Sequence, residues 1–219
     1  YTIGSNPLKL GQVYEIAKIL GKLHRSTEDV PAHLIKQLPK ENFDIGFCRS
    51  LYKFIKNDLL SKHDAVLRVV KPFTGYLLDN IKRMKYLAET LKKKPMQFVL
   101  CHGDAHYWNM IQSKHIKLID WECANLAPPE QDLILHIAGQ NAELFLSVYR
   151  KYITSYELDL DALEFYFLKR RLENVWEWIQ DLRSKEAIKA QEETLKLLRI
   201  NLIECTKVTS FRAYLEANV

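Results

Sequence analysis

The sequence predicts a mainly α protein with a small β-hairpin region, and three observations carry that expectation. Apolar residues recur at helical spacing early in the chain, at Leu10, Val13, Tyr14, Ala17, Leu20 and Leu23. Short apolar runs separated by a polar turn occur only between Met96 and Ile119. After Pro128 and Pro129 the helical period returns, in long amphipathic stretches over Asp161–Arg183 and Glu186–Tyr214.

Each element follows from local signals. Asn6 before Pro7 reads as an N-cap with proline at the first helical position, opening a helix that runs to about His24. A loop passes Pro31 and Pro39, and Phe47, Leu51, Phe54, Ile55 and Leu59 then make a second apolar face. Val66 to Leu91 continues in helical style with an interruption between Pro72 and Gly75. Lys92-Lys93-Lys94 before Pro95 reads as a solvated helix C-terminus, where the dipole favours basic residues. Phe98–Cys101 is a short strand, and Met110-Ile111 and Ile116–Ile119 flank the turn Gln112–His115. Helices are expected again at Asp132–Ala138 and Glu143–Ser155. Phe165, Tyr166, Phe167, Trp176 and Trp178 read as helix-packing core; the sharper alternative makes Trp176, Glu177 and Asp181 the wall of a substrate pocket.

Composition narrows the classes. With 47% hydrophobic and 27% charged residues in 219, the chain is globular rather than disordered. No apolar run approaches the roughly 18 to 20 residues of a membrane span, and the first residues lack a signal core, so a cytoplasmic protein is expected. Cys48, Cys101, Cys123 and Cys205 are scattered without a CxxC pair, as reduced thiols are in the cytosol. The net charge of +5 is spread among interleaved acids, which argues against a nucleic-acid binder.

The chemistry concentrates where strands give way to loops. His102-Gly103-Asp104 leaves the first short run, Asn109 follows five positions on, and Asp120 leaves the last run. Two carboxylates and an amide on loops suit a hard cation such as magnesium, which takes oxygen ligands and keeps few protein ones. A neighbouring carboxylate off the metal can accept the proton of an attacking hydroxyl. Phosphoryl transfer needs those parts and little covalent help. A metal-dependent phosphohydrolase would use the same carboxylates, and dependence on an acceptor separates the two.

The same residues carry a resemblance. His102-Gly103-Asp104 with Asn109 resembles the HGDxxxxN loop of the aminoglycoside phosphotransferases, relatives of protein kinases, and Ile119-Asp120-Trp121 matches the IDW segment that replaces the kinase DFG. The motifs span about residues 98 to 133, while the helical layout is similar over essentially the whole chain. The resemblance implies Asp104 as catalytic base, Asn109 and Asp120 as magnesium ligands, His102 as a brace for the loop and Gly103 as a turn where a side chain would interfere. His106 matches a histidine frequent in that loop, with no step assigned to it. Asp132, in Leu126–Leu133, caps or braces the following helix, and Ala127-Pro128-Pro129-Glu130 is most similar to the spectinomycin-type branch.

The resemblance further implies ATP or GTP as donor and a small-molecule hydroxyl as acceptor, most simply an aminoglycoside or related antibiotic. Glu122, Glu173, Glu177 and Asp181 are the candidates for an acidic acceptor pocket, with Trp121 beside Glu122. Small-metabolite kinases of the choline, homoserine or methylthioribose type are the alternative, and a catalytically silent kinase-like module is another. A Gly-rich loop and a strand lysine are lacking, so the expected architecture is the C-terminal lobe of a protein-kinase-like fold with the N-terminal nucleotide lobe absent. In that reading residues 1–5 are a hinge remnant and residues 6–219 the helical lobe, carrying catalytic loop 102–109 and metal-binding segment 119–122. The missing lobe is then a required partner, and the isolated chain is expected to turn over poorly.

Overall fold

The computed structural model describes residues 2–3, 8–57, 65–154, 157–184 and 188–218. The expected Asn6 cap with Pro7, the apolar position Leu59, Ser155, Glu186 and most of the hinge 1–5 lie outside the described residues. Helices dominate: α1 (Leu10–Arg25), α2 (Ala32–Ile35), α3 (Gly46–Asn57), α4 (Ala65–Val70) and α5 (Thr74–Leu91) precede the strands β1 (Val99–Cys101), β2 (Met110–Gln112), β3 (Ile116–Leu118) and β4 (Asn125–Ala127). They are followed by α6 (Glu130–Ile137), α7 (Ala142–Tyr149), α8 (Leu160–Ser184), α9 (Ile188–Cys205) and α10 (Val208–Asn218). Among the described residues no helix is long and apolar enough to cross a membrane.

The chain divides into two compact units. The first takes residues 1–42, 94–163 and 215–219. In it α1 buries Val13, Ile16, Ala17 and Leu20 and lies against α7, whose Phe145, Leu146 and Tyr149 are also buried. The predicted hairpin is present: β2 and β3 pair antiparallel with Met110 opposite Leu118. A second antiparallel pair, β1 with β4, sets Val99 opposite Ala127, and these two with Cys101 form a buried cluster. β4 was not expected, because Asn125-Leu126-Ala127 is too short to show a period; Leu126 is held from both sides, by Pro39 and Glu41 backbone as well as by β1.

The helix start differs from expectation. Leu8 and Lys9 are not helical, and α1 begins at Leu10 with Gln12 accepting the Lys9 N–H at 2.9 Å. Further upstream, Thr2 bridges Ile111 and the Ile3 N–H donates to the Met110 carbonyl at 3.0 Å, so these two residues pair with the hairpin.

The second unit takes residues 43–93 and 164–214. The interruption at Pro72 is a 3₁₀ turn, Lys71–Phe73, between α4 and α5. Leu51, Phe54 and Ile55 of α3, Leu77, Met84 and Leu87 of α5, and Leu168, Leu172, Val175 and Ile179 of α8 are all buried. Phe165, Tyr166 and Phe167 are core, as the aromatic run suggested. The single stretch expected over Glu186–Tyr214 is two helices, parted by a tightened turn in which Thr206 and Lys207 bond back three residues.

Candidate active site

The loop leaving β1 is anchored from α6. Asp132, buried in the first turn of that helix, accepts the His102 N–H on Oδ2 at 2.7 Å and the Gly103 N–H on Oδ1 at 2.9 Å. Its Oδ2 also meets His24 Nε2 at 3.2 Å, and His24 Nδ1 lies 2.8 Å from the Tyr149 hydroxyl. Bonds to an ionised acceptor are shorter and stronger than neutral ones, so this network fixes where the loop starts. Asp132 is therefore not a helix cap. It sits inside α6 and braces the loop leaving β1, because its carboxylate points at two backbone N–H groups that have no strand partner.

Gly103 adopts φ +84°, and a Cβ there would lie 2.1 Å from the Cys123 carbonyl oxygen, so a side chain is excluded as expected. The buried His102 ring donates from Nε2 to the Ile119 carbonyl at 2.9 Å and accepts the Asp104 N–H on Nδ1 at 3.4 Å. It thus ties the loop to the segment carrying Asp120, and the Ile119 N–H closes the same tie on the Asn109 carbonyl at 3.0 Å.

Asp104 presents a partly exposed carboxylate. Asn109 Nδ2 donates to its Oδ2 at 3.1 Å and to its backbone carbonyl at 3.0 Å. His106 Nδ1 accepts the Asn109 N–H at 3.2 Å, which leaves the ring proton on Nε2, 3.3 Å from Asp104 Oδ2. His106 thereby gains the role the sequence did not give it: it meets the same carboxylate oxygen, Oδ2, that accepts the Asn109 amide. Asp120 is exposed and stands at φ +66°, a left-handed conformation that Asp tolerates better than most residues.

These residues fit a magnesium ion. The Asn109 amide turns its nitrogen to Asp104, so its oxygen is the end left for a cation, and the Asp120 carboxylate has no protein partner among the described residues. Asn109 and Asp120 would be the ligands. A tighter group of potential ligands lies elsewhere, at His24, Cys101 and Asp132, whose ligand atoms fall within 4.8 Å of one another. That group is a hydrogen-bond network: both His24 nitrogens and both Asp132 oxygens are engaged, and burial pushes the Cys101 thiol well above its ordinary range.

Around the loop, burial sets two further groups. His136 of α6 donates from Nε2 to the Ala105 carbonyl at 3.1 Å, and burial pulls its pKa down to about 4. Burial raises the pKa of Tyr107, whose hydroxyl donates to the Leu135 carbonyl. Both are therefore neutral near pH 7.

The acceptor candidates separate. Trp121 lies against the His102 ring, 4.6 Å between centroids, and keeps an exposed face; Glu122 beside it is exposed without a protein partner among the described residues. Both belong to the unit that holds the loop. Glu173, Glu177 and Asp181 lie on α8 in the second unit, where Thr194 donates to Asp181 Oδ2 at 3.4 Å. The sequence reading missed His24, Tyr149 and the exposed Trp108. His24 and Tyr149 fall on apolar helical faces where one polar residue carries no signal, while Trp108 stands inside the motif.

A carboxylate held at Oδ2 by an amide and an imidazole, an amide oxygen and an open second carboxylate constitute a centre suited to metal-assisted phosphoryl transfer, set in a mainly helical frame. Residues 5–166 match the Phosphotransferase enzyme family, and this chain belongs to it. It is a phosphotransferase acting on a hydroxyl acceptor. No curated protein sequence matches it significantly. Among solved structures it is similar to spectinomycin phosphotransferase in complex with ADP and spectinomycin, at 23% identity and a TM-score of 0.68, covering 96% of this chain and 69% of that one. A choline/ethanolamine kinase family protein from Mesorhizobium loti is similar at 16% identity and a TM-score of 0.58, over 92% of this chain and 64% of that one. Aminoglycoside 2'-phosphotransferase-IIIa in its GDP complex is similar at 17% and 0.54, over 88% and 63%.

Proposed function

We propose that this chain moves the γ-phosphoryl group of ATP or GTP to a hydroxyl of spectinomycin, an aminoglycoside or a related antibiotic, in the cytoplasm where nucleoside triphosphates are available. The observation that carries the reading is the division of labour in the loop. Asn109 spends its amide nitrogen on Asp104 and keeps its oxygen, and Asp120 keeps its whole carboxylate.

In this mechanism Asp104 accepts the proton of the attacking hydroxyl, while Asn109 and His106 hold its carboxylate against rotation. His102 and Gly103 keep the loop at the height that Asp132 sets. Magnesium held by Asn109 and Asp120 would offset the charge of the phosphates. The exposed faces of Trp108 and Trp121, with Glu122 between loop and solvent, suit a cationic acceptor through ring faces and negative charge. Glu177 and Asp181, on α8 of the second unit, remain acceptor candidates from the sequence alone. The same aromatic and acidic surface favours a second reading, a small-metabolite kinase for a cationic alcohol of the choline type. Homoserine- and methylthioribose-type kinases, or a catalytically silent module, are the remaining alternatives.

The lobe assignment belongs to the same proposal. Residues 6–219 act as the helical lobe, residues 1–5 as the hinge, and a nucleotide-binding lobe as the partner, in keeping with the 69% of the solved spectinomycin enzyme that the match covers. The test is transfer of labelled γ-phosphate, with magnesium, to spectinomycin, aminoglycosides and choline-type alcohols by the protein joined to such a lobe. Transfer that requires an acceptor supports the reading and identifies its class. Phosphate release to water with every acceptor would make it a hydrolase, and tight nucleotide binding without transfer would make it a silent module.

A further inference from the structure

Helix α9 is apolar on two faces. Leu198, Leu202 and Cys205, with the polar Thr194, are buried against the second unit, which accounts for one face. On the other, Leu197, Ile200 and Ile203 are 41%, 48% and 43% exposed, three large aliphatic side chains in one stripe at helical spacing. Isolated exposed apolar residues are ordinary, but a continuous stripe marks a surface that something covers.

The charges around that stripe say what covers it. Leu197 stands three residues before Ile200 and Ile203 three after; Lys196 stands four before and Glu204 four after; Glu193 stands seven before and Lys207 seven after. In these three pairs an apolar residue or a charge on one side of Ile200 thus has its complement at the same distance on the other, while Arg199 stands opposite the neutral Asn201. A second α9 crossing antiparallel, with Ile200 on the twofold axis, would set Leu197 on Ile203, Lys196 by Glu204, and Glu193 by Lys207, every contact made twice. A parallel crossing would instead set Lys196 on Lys196 and Glu204 on Glu204, which like-charge repulsion disfavours. Lys207 holds Glu204 of its own chain at 2.6 Å, and in the pair these two charges extend into a network with the second chain.

We propose that α9 is a self-docking surface, through which two copies of this chain associate about a twofold axis at Ile200. Such an isologous contact needs one patch complementary to itself, and the α9 pattern has that property. A single helix pair buries less than the about 1,200 Å² of a standard stable interface, so the expected dimer is weak, with Kd on the order of 10 to 100 µM. The surface lies wholly in the second unit and does not depend on the acceptor assignment.

The experiment is sedimentation equilibrium of this chain from about 5 to 300 µM, spanning that range of Kd. It is paired with Ile200→Glu and with oxidative cross-linking of Ile200→Cys in a Cys123→Ser background, which removes the exposed native thiol. The expected result is a concentration-dependent dimer that Ile200→Glu reduces at least tenfold in affinity without changing the thermal melt. Ile200→Cys should cross-link to itself, since a residue on the axis meets its own copy, whereas Leu34→Cys, at an exposed site on α2, should not. A monomer at every concentration overturns the proposal. A dimer that survives Ile200→Glu and leaves Ile200→Cys uncross-linked overturns it too, by placing the contact elsewhere.

Discussion

The two units of this chain are held by different physics. In the unit with the catalytic loop, a buried polar network of His24, Asp132 and Tyr149 reaches through two backbone N–H bonds to His102 and Gly103. In the other, apolar helix faces do most of the packing, and the buried Glu164 takes Arg83 at 2.7 and 2.6 Å and Arg212 at 3.2 Å. Directional bonds fix a loop to a fraction of an ångström, which chemistry needs, while apolar contacts tolerate repacking. A single polar substitution should therefore cost function in the first unit and only stability in the second.

The largest effect is expected for Gly103→Ala. Its Cβ would fall 2.1 Å from a backbone oxygen at a positive φ, so the loop must move; we expect a loss of about 5 kcal/mol by denaturant unfolding and no transfer activity. Asp132→Ala comes next, at about 4 kcal/mol, since it orphans two N–H groups and a buried histidine, and activity should fall with stability. Glu164→Ala in the second unit should cost about 3 kcal/mol by removing the buried carboxylate that takes both Arg83 and Arg212, yet leave the nucleotide affinity of the folded protein unchanged. An equal loss of nucleotide binding in Glu164→Ala and Asp132→Ala would erase the contrast.

The smallest effect is a pH dependence. Burial holds His136 at about 4 in the folded chain against 6.5 in the unfolded one, so the unfolded state binds the extra proton in between. Its contribution is complete above pH 6.5 and is lost as pH falls toward 4, with about 2 kcal/mol gone between pH 7 and 5. Thermal melts from pH 7 to 5 should show that slope, and His136→Phe should flatten it while lowering the melt at every pH.

The contrast also explains what could be read in advance. The helices of the second unit follow from apolar periodicity, and α5 ends at Leu91 ahead of the three lysines as the dipole argument requires. Asp104, Asn109 and Asp120 stand out as candidates in the sequence because the proposed chemistry asks for both residue type and spacing, and the fold sets the Asn109 amide on Asp104. His24 does not stand out, since a histidine on an apolar helix gives no hint of a partner 108 residues away. The role of Asp132 was misplaced for a related reason: an acid at a helix start looks like a cap, and only the fold brings the His102 backbone to it. β4 is set by pairing with β1 and with Pro39 and Glu41, contacts that local sequence does not encode.

In the proposed function Asp104 moves a proton while Asp120 holds the metal, and one measurement separates the two roles. With the nucleotide lobe joined, Mn²⁺–nucleotide binding and single-turnover transfer are compared in Asp104→Asn and Asp120→Asn. Asp104→Asn should keep Mn²⁺ binding nearly unchanged and lose transfer by about 10³-fold or more, and Asp120→Asn should lose the metal itself. Transfer that survives in Asp104→Asn, or Mn²⁺ that binds as tightly without the Asp120 carboxylate, would contradict that division of roles.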